Sequence, residues 1–157
     1  MKKKQEKKPA FLKAVTGDYV SREGVNEALA NVSISWDDIP TVEDLDANVL
    51  AVAVKNPRRL DMSQWHCGSA HCRLGWAVVL GDAQKLERRV NKVCRVSPKD
   101  GDYNSGAEVI GSAIYMKSCP GLPTPNFHAS NGDAMADMHD RVLKRVLAER
   151  RASKAAA

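Results

Sequence analysis

Long apolar runs are missing from this sequence. The longest, Val49-Leu50-Ala51-Val52-Ala53-Val54, has six residues, against the roughly 18 that mark a membrane-spanning helix. No membrane segment is expected. Aromatic residues are scarce at 5%, so the core has to rest on Val, Leu, Ala and Met. There is no internal repeat, and no low-complexity tract beyond the two ends. The lysine-rich start also lacks the apolar stretch and small-residue cleavage site of a secretory signal, because Ala10-Phe11-Leu12 stops at Lys13. That predicts a cytoplasmic location, where most thiols stay reduced.

What is present fits one domain. A chain of 157 residues with 43% hydrophobic content and a mean hydropathy of −0.40 has an ordinary globular composition. Such a chain buries roughly two-thirds of its unfolded surface. The net charge of +5 is carried unevenly. Lys2, Lys3, Lys4, Lys7 and Lys8 precede Pro9, and Arg141, Lys144, Arg145, Arg150, Arg151 and Lys154 crowd the other end. Lys2, Lys3, Lys4, Arg141, Lys144, Arg145, Arg150 and Arg151 are candidate contacts to nucleic acid or an acidic protein surface. The competing reading is a solvated tail and a cationic helix end, and no aromatics are interleaved as single-strand binding wants.

Periodicity predicts a mainly α domain of about five or six helices. The expected organisation is a flexible basic arm over 1–9, a single helical domain over 10–152 and a frayed tail over 153–157. Ser21 is a candidate cap for a helix over 22–31, with Val25, Ala28 and Leu29 on one face. Val32-Ser33-Ile34-Ser35-Trp36 alternates like a short strand. Thr41 and Asp44 resemble a capping box, followed by Leu45, Val49 and Val52 in one stripe, and Pro57 stops that helix. Ser69 is a candidate cap for a nearly all-apolar helix over 70–80, the expected central one, closed by a left-handed Gly81. Further helices are expected over 83–94, 106–117 and 132–151, capped by Asp82, Ser105 and Asn131. Residues 119–125, rich in proline, form an ordered or extended loop.

Chemistry concentrates in residues 65–76, Trp65-His66-Cys67-Gly68-Ser69-Ala70-His71-Cys72-Arg73-Leu74-Gly75-Trp76. They hold half the cysteines, half the histidines and two of the three tryptophans. If 66–72 were one helix, residues five apart would point about 140° away from each other. A bend at Gly68 brings Cys67 back toward the first helical turn. Three roles are open. Cys67, Cys72, His66 and His71 are candidate ligands for a metal, zinc first, although a closed site needs four well-placed donors. Cys67 or Cys72, near a helix N-terminus, is a candidate nucleophile with His128 or His139 as base. Otherwise the cluster packs around a tight helix entry, with a Cys67–Cys72 disulfide as its oxidised variant.

Cys67-Gly68-Ser69 before an apolar helix superficially resembles papain-like peptidases. In those the nucleophile ends the motif and an aromatic follows it; here Ala70-His71 intervene. The whole stretch Leu60–Trp76 resembles a motif of the type W-H-C-G-[ST]-x-H-C-x-x-G-W in uncharacterised small proteins of bacteriophages, prophages and some bacteria. Pro123-Thr124-Pro125-Asn126-Phe127-His128-Ala129-Ser130-Asn131 is similar to a downstream element of the same proteins. The resemblance implies a mobile-element origin and carries no catalytic residues over. The expected function is therefore a phage-type accessory protein that binds a host protein or nucleic acid, with residues 65–76 as a structural Cys/His knot. The alternatives are a cysteine hydrolase and a DNA-contacting virion component.

Overall fold

The computed structural model describes residues 21–63, 66–67, 70–93, 105–127 and 129–157, with backbone only at 66, 67 and 105. The expected arm over 1–9 lies outside them. The described chain is mainly helical, with six α-helices and one two-stranded hairpin. No described helix is long and apolar enough to cross a membrane.

Helix α1, Arg22–Asn31, forms where the periodicity places it. Ser21 Oγ accepts the Gly24 N–H at 3.1 Å, and Val25, Ala28 and Leu29 are buried. The strand expected over 32–36 does not form. Ser33 turns into the left-handed region at φ 55°, and Trp36–Asp38 makes a 3-10 turn closed by the Ser35 N–H donating to Asp38 Oδ2 at 2.8 Å. A carboxylate competing locally for backbone donors defeats the strand. Trp36 packs against the core, donates Nε1–H to Asn26 Oδ1 at 2.6 Å and lies under the Arg22 guanidinium.

Helix α2, Leu45–Lys55, buries Leu45, Val49 and Ala53. Its N-cap is Asp44 at φ 54° with no side-chain cap bond, so the expected Thr41/Asp44 box is not formed. The Asp44 carboxylate pairs instead with Arg145. Pro57 ends the helix as expected and opens a 3-10 turn, Pro57–Arg59.

Strands β1, His66–Cys67, and β2, Ala70–His71, pair antiparallel with His66 opposite His71 and Cys67 opposite Ala70. Because Ala70 and His71 are committed to this hairpin, helix α3 spans Arg73–Leu80 and its N-cap is Cys72 rather than Ser69. Gly81 keeps a negative φ of −83°, and the left-handed residue is Asp82 at φ 50°. Helix α4, Gln84–Val93, buries Val90 and half-buries Leu86, while Val93 is exposed.

The hub of the fold is helix α5, Ser105–Ser118, rather than α3. Residues 106–115 are all buried, and α5 packs against α1, α3 and α4. Two glycines permit that approach. A Cβ at Gly111 would stand 2.8 Å from the Leu74 carbonyl oxygen, and one at Gly106 would stand 2.5 Å from that of Glu87. Helix α6, Asn131–Ala155, packs on α2. Its N-cap is Ser130, which accepts the Asp133 N–H at 3.2 Å. Asn131, expected to cap, serves as a clamp: its side chain accepts the Met62 N–H at 2.7 Å and donates to the Leu60 carbonyl at 3.1 Å. The helix continues through 153–155, so only Ala156 and Ala157 lie beyond it.

Candidate functional site

The cysteine block is a folded entry to α3. Leu60 bridges to His71 in parallel, and the Asp61 N–H donates to the His71 carbonyl at 3.1 Å. The His71 ring meets Trp76 edge-on at 4.8 Å between centroids. Trp76 donates Nε1–H to the Arg59 carbonyl at 2.8 Å, and the Arg59 guanidinium covers its ring. The indole thus satisfies its polar edge while burying its body. The backbone of Cys67 pairs with Ala70 ahead of α3, and the expected bend at Gly68 lies outside the described residues.

Cys72 is 1% exposed and a free thiol. Its Sγ accepts the Gly75 N–H at 3.4 Å, so it caps the helix. Burial pushes its thiol up to about 11, and the Gly75 and Leu74 backbone N–H groups pull the other way without prevailing. At neutral pH a thiol of that kind stays protonated, and desolvation outweighs the helix N-terminus. As it stands, Cys72 is a cap rather than an armed nucleophile. The side chains of His66 and Cys67, together with Trp65, Cys94 and His128, lie outside the described residues. Among the described residues no three His, Cys, Asp or Glu side chains gather as metal ligands.

The next residue, Arg73, opens a feature the sequence analysis did not single out. It is 0% exposed, at the start of an otherwise apolar helix. Its Nε donates to Tyr115 Oη at 2.9 Å, its Nη1 to Asp137 Oδ2 at 2.6 Å and its Nη2 to Asp46 Oδ1 at 2.5 Å. Asp46 Oδ2 then accepts Arg141 Nε at 2.8 Å, and Arg141 Nη1 donates to the Pro123 carbonyl at 2.8 Å. One carboxylate is therefore shared by two buried guanidinium groups. Burial opposes the charge of Arg73, but Tyr115, Asp46 and Asp137 outweigh it and raise its pKa. Burial holds the Tyr115 hydroxyl protonated, with a pKa well above the usual value. The network ties α2, α3, α5, α6 and the 119–125 loop at one point. A lone arginine in an apolar helix was the available signal, since an arginine is almost never fully buried unless paired.

This placement divides the cations proposed for partner contact. Arg141 is only 7% exposed and turned inward, so it is not part of a basic surface. Arg145 pairs with Asp44, and Lys144 with Asp140 at 2.7 Å on the helix surface. Arg150 and Arg151 are exposed. Lys2, Lys3 and Lys4 lie outside the described residues.

Helix α6 carries an exposed face with two leucines. Leu143 is 48% and Leu147 41% exposed. At about 100° per residue, Leu143, Leu147, Arg150 and Lys154 share one stripe, roughly opposite the buried Ala134, Met138 and Arg141. From Leu147 to the end every residue is exposed. The chain matches no protein-family model, no curated protein and no solved structure.

Proposed function

We propose that this protein acts by binding, docking the outer face of α6 into an acid-rimmed apolar groove on a partner protein. One observation carries the reading: from Leu147 on, the last two to three turns of α6 have no packed face, and there Leu147, Arg150 and Lys154 extend an exposed stripe that begins at Leu143. A helical segment of nine residues is about 13 Å long and marginal in water without tertiary support. Leucines four residues apart on a solvent face cost hydration and contribute nothing to the core. Both features are resolved when the stripe lies in a groove, the helix-in-groove mode with anchors at i and i+4.

Charge sets the character of the groove. With Lys144 paired to Asp140 and Arg145 to Asp44, residues 147–154 still carry Arg150, Arg151 and Lys154 against the single carboxylate Glu149. Acidic residues at the groove rim steer approach and fix register. Exposed leucines favour a protein over a nucleic acid, whose phosphates would use the cations alone. In this reading the Cys/His block is a structural knot that seats α3 and delivers Arg73 to the ion network holding α6. The resemblance of residues 60–76 supports placing the protein among phage-type accessory proteins, with a host protein as the partner.

Affinity capture from bacterial host lysate with wild type and with Leu143→Glu/Leu147→Glu tests this. A partner retained by wild type and lost from the double variant, whose helical signal and melting are unchanged, is the expected result. Equal retention by both, or recovery of nucleic acid alone, refutes it.

A further inference from the structure

A second feature of α6 lies on its inner side, away from the leucine stripe. Between the start of α2, the end of α5 with its following loop, and α6 there is an open cavity of about 450 Å³. That is within the usual range for small-molecule sites. Leu45, Pro120, Leu122, Val142 and Ala148 supply apolar walls, and Asp44, Asp46, Arg141, Lys144 and Arg145 supply its charges.

The charges that line the cavity are all engaged in ion pairs. Asp46 is shared between Arg141 and Arg73, which does not line it, and Asp44 is taken by Arg145. Lys144 answers Asp140, outside the lining. Each lining cation is thus answered by a carboxylate, Arg141 by Asp46, Arg145 by Asp44 and Lys144 by Asp140. Donors nevertheless remain. Arg141 uses Nε on Asp46 and Nη1 on the Pro123 carbonyl. Arg145 uses Nη1 on Asp44, and its Nε is 3.4 Å from Glu149 with no hydrogen bond. Neither Nη2 has a carboxylate or carbonyl partner among the described residues. Arg141, itself more than nine-tenths buried, is held in place by the ion network and offers a preorganised donor.

We infer that this cavity binds a small organic carboxylate with a short apolar body. The carboxylate lies on the two spare Nη2 groups, and the hydrocarbon rests against Leu45, Leu122 and Val142. Anion specificity follows from the two spare donors on charged guanidinium groups, and the apolar walls select against inorganic anions. The site is separate from the leucine stripe, so either proposal can fail without the other.

Hexanoate titrated into the full chain, followed by amide chemical shifts in two-dimensional NMR, is the test. Saturable shifts confined to residues around 44–46, 118–122 and 141–148 are expected. Ala148→Trp fills the cavity from an exposed helix position and should weaken binding at least about tenfold. Arg145→Ala should weaken it about fivefold or more, the loss of one charge-assisted contact. Hexanamide, the same body without charge, and inorganic phosphate, the charge without the body, should each bind at least about tenfold more weakly. Three results overturn the inference: no saturation by hexanoate, equal binding by hexanamide or phosphate, or unchanged hexanoate affinity in Ala148→Trp.

Discussion

Replacing Asp46 by alanine removes the one carboxylate that two buried arginines share, and the structure sets how much that costs. Arg73 loses its 2.5 Å bond but keeps Asp137 and Tyr115. Arg141 loses its 2.8 Å bond and keeps the Pro123 carbonyl. Each lost bond is charge-assisted, worth about 1.5–3 kcal/mol, and breaking a buried ion pair from one side costs about 3–5 kcal/mol. Against a total domain stability of about 5–15 kcal/mol, Asp46→Ala should consume much of the margin. At a urea dependence of about 2 kcal/mol per molar, the unfolding midpoint should fall by about 1.5–2.5 M with an unchanged slope. Asp46→Asn keeps an acceptor without the charge and should fall in between. Urea unfolding followed by far-UV circular dichroism reads both. A loss below about 1 kcal/mol for Asp46→Ala would refute the argument that this network fastens α6 to the body.

Three further outcomes follow from the geometry. Glu108 on α5 is buried with no ion-pair partner among the described residues, and burial raises its carboxyl to about 7 from 4.5. The folded state therefore holds a proton that the unfolded state has released between those values, so stability falls as pH rises from about 4.5 to 7. Glu108→Gln should remove that fall and stabilise the protein at pH 8 by up to roughly 3 kcal/mol, as thermal melts at pH 5 and 8 would show. Gly111→Ala should destabilise by about 1–3 kcal/mol in urea titrations, because its Cβ would press on the Leu74 backbone. Alkylation of Cys72 by iodoacetamide at neutral pH, followed by peptide mass spectrometry, should run at least about a hundredfold slower in the folded chain than in urea. Rapid native alkylation would contradict its assignment as a cap.

Helical periodicity was a sound guide where elements are long. The stripe at Val25-Ala28-Leu29 faces the core, and of Leu45, Val49 and Val52 the first two are buried while Val52 is half-buried against it; Ser21 caps as its position implies. The hairpin was not legible, since two-residue strands show no alternation, and its pairing moved the start of α3 from residue 70 to Arg73. Side-chain competition misled elsewhere. Asp44 and Asn131 have the chemistry of caps, but tertiary partners claimed both. The ion network was beyond local reading, because Asp46 meets Arg73 and Arg141 across 27 and 95 residues. Arg141 accordingly read as one more cation of a basic end. The site block itself stood out by composition, whereas the burial of Cys72 depends on which helices close over it.

The outer face of α6 is tested most directly by titrating the purified captured partner into wild type and into Leu143→Glu/Leu147→Glu by calorimetry. The account predicts one-site binding that the double variant weakens at least about thirtyfold, and an affinity that declines with added salt. An unchanged affinity in the double variant, or salt-insensitive binding, would contradict it.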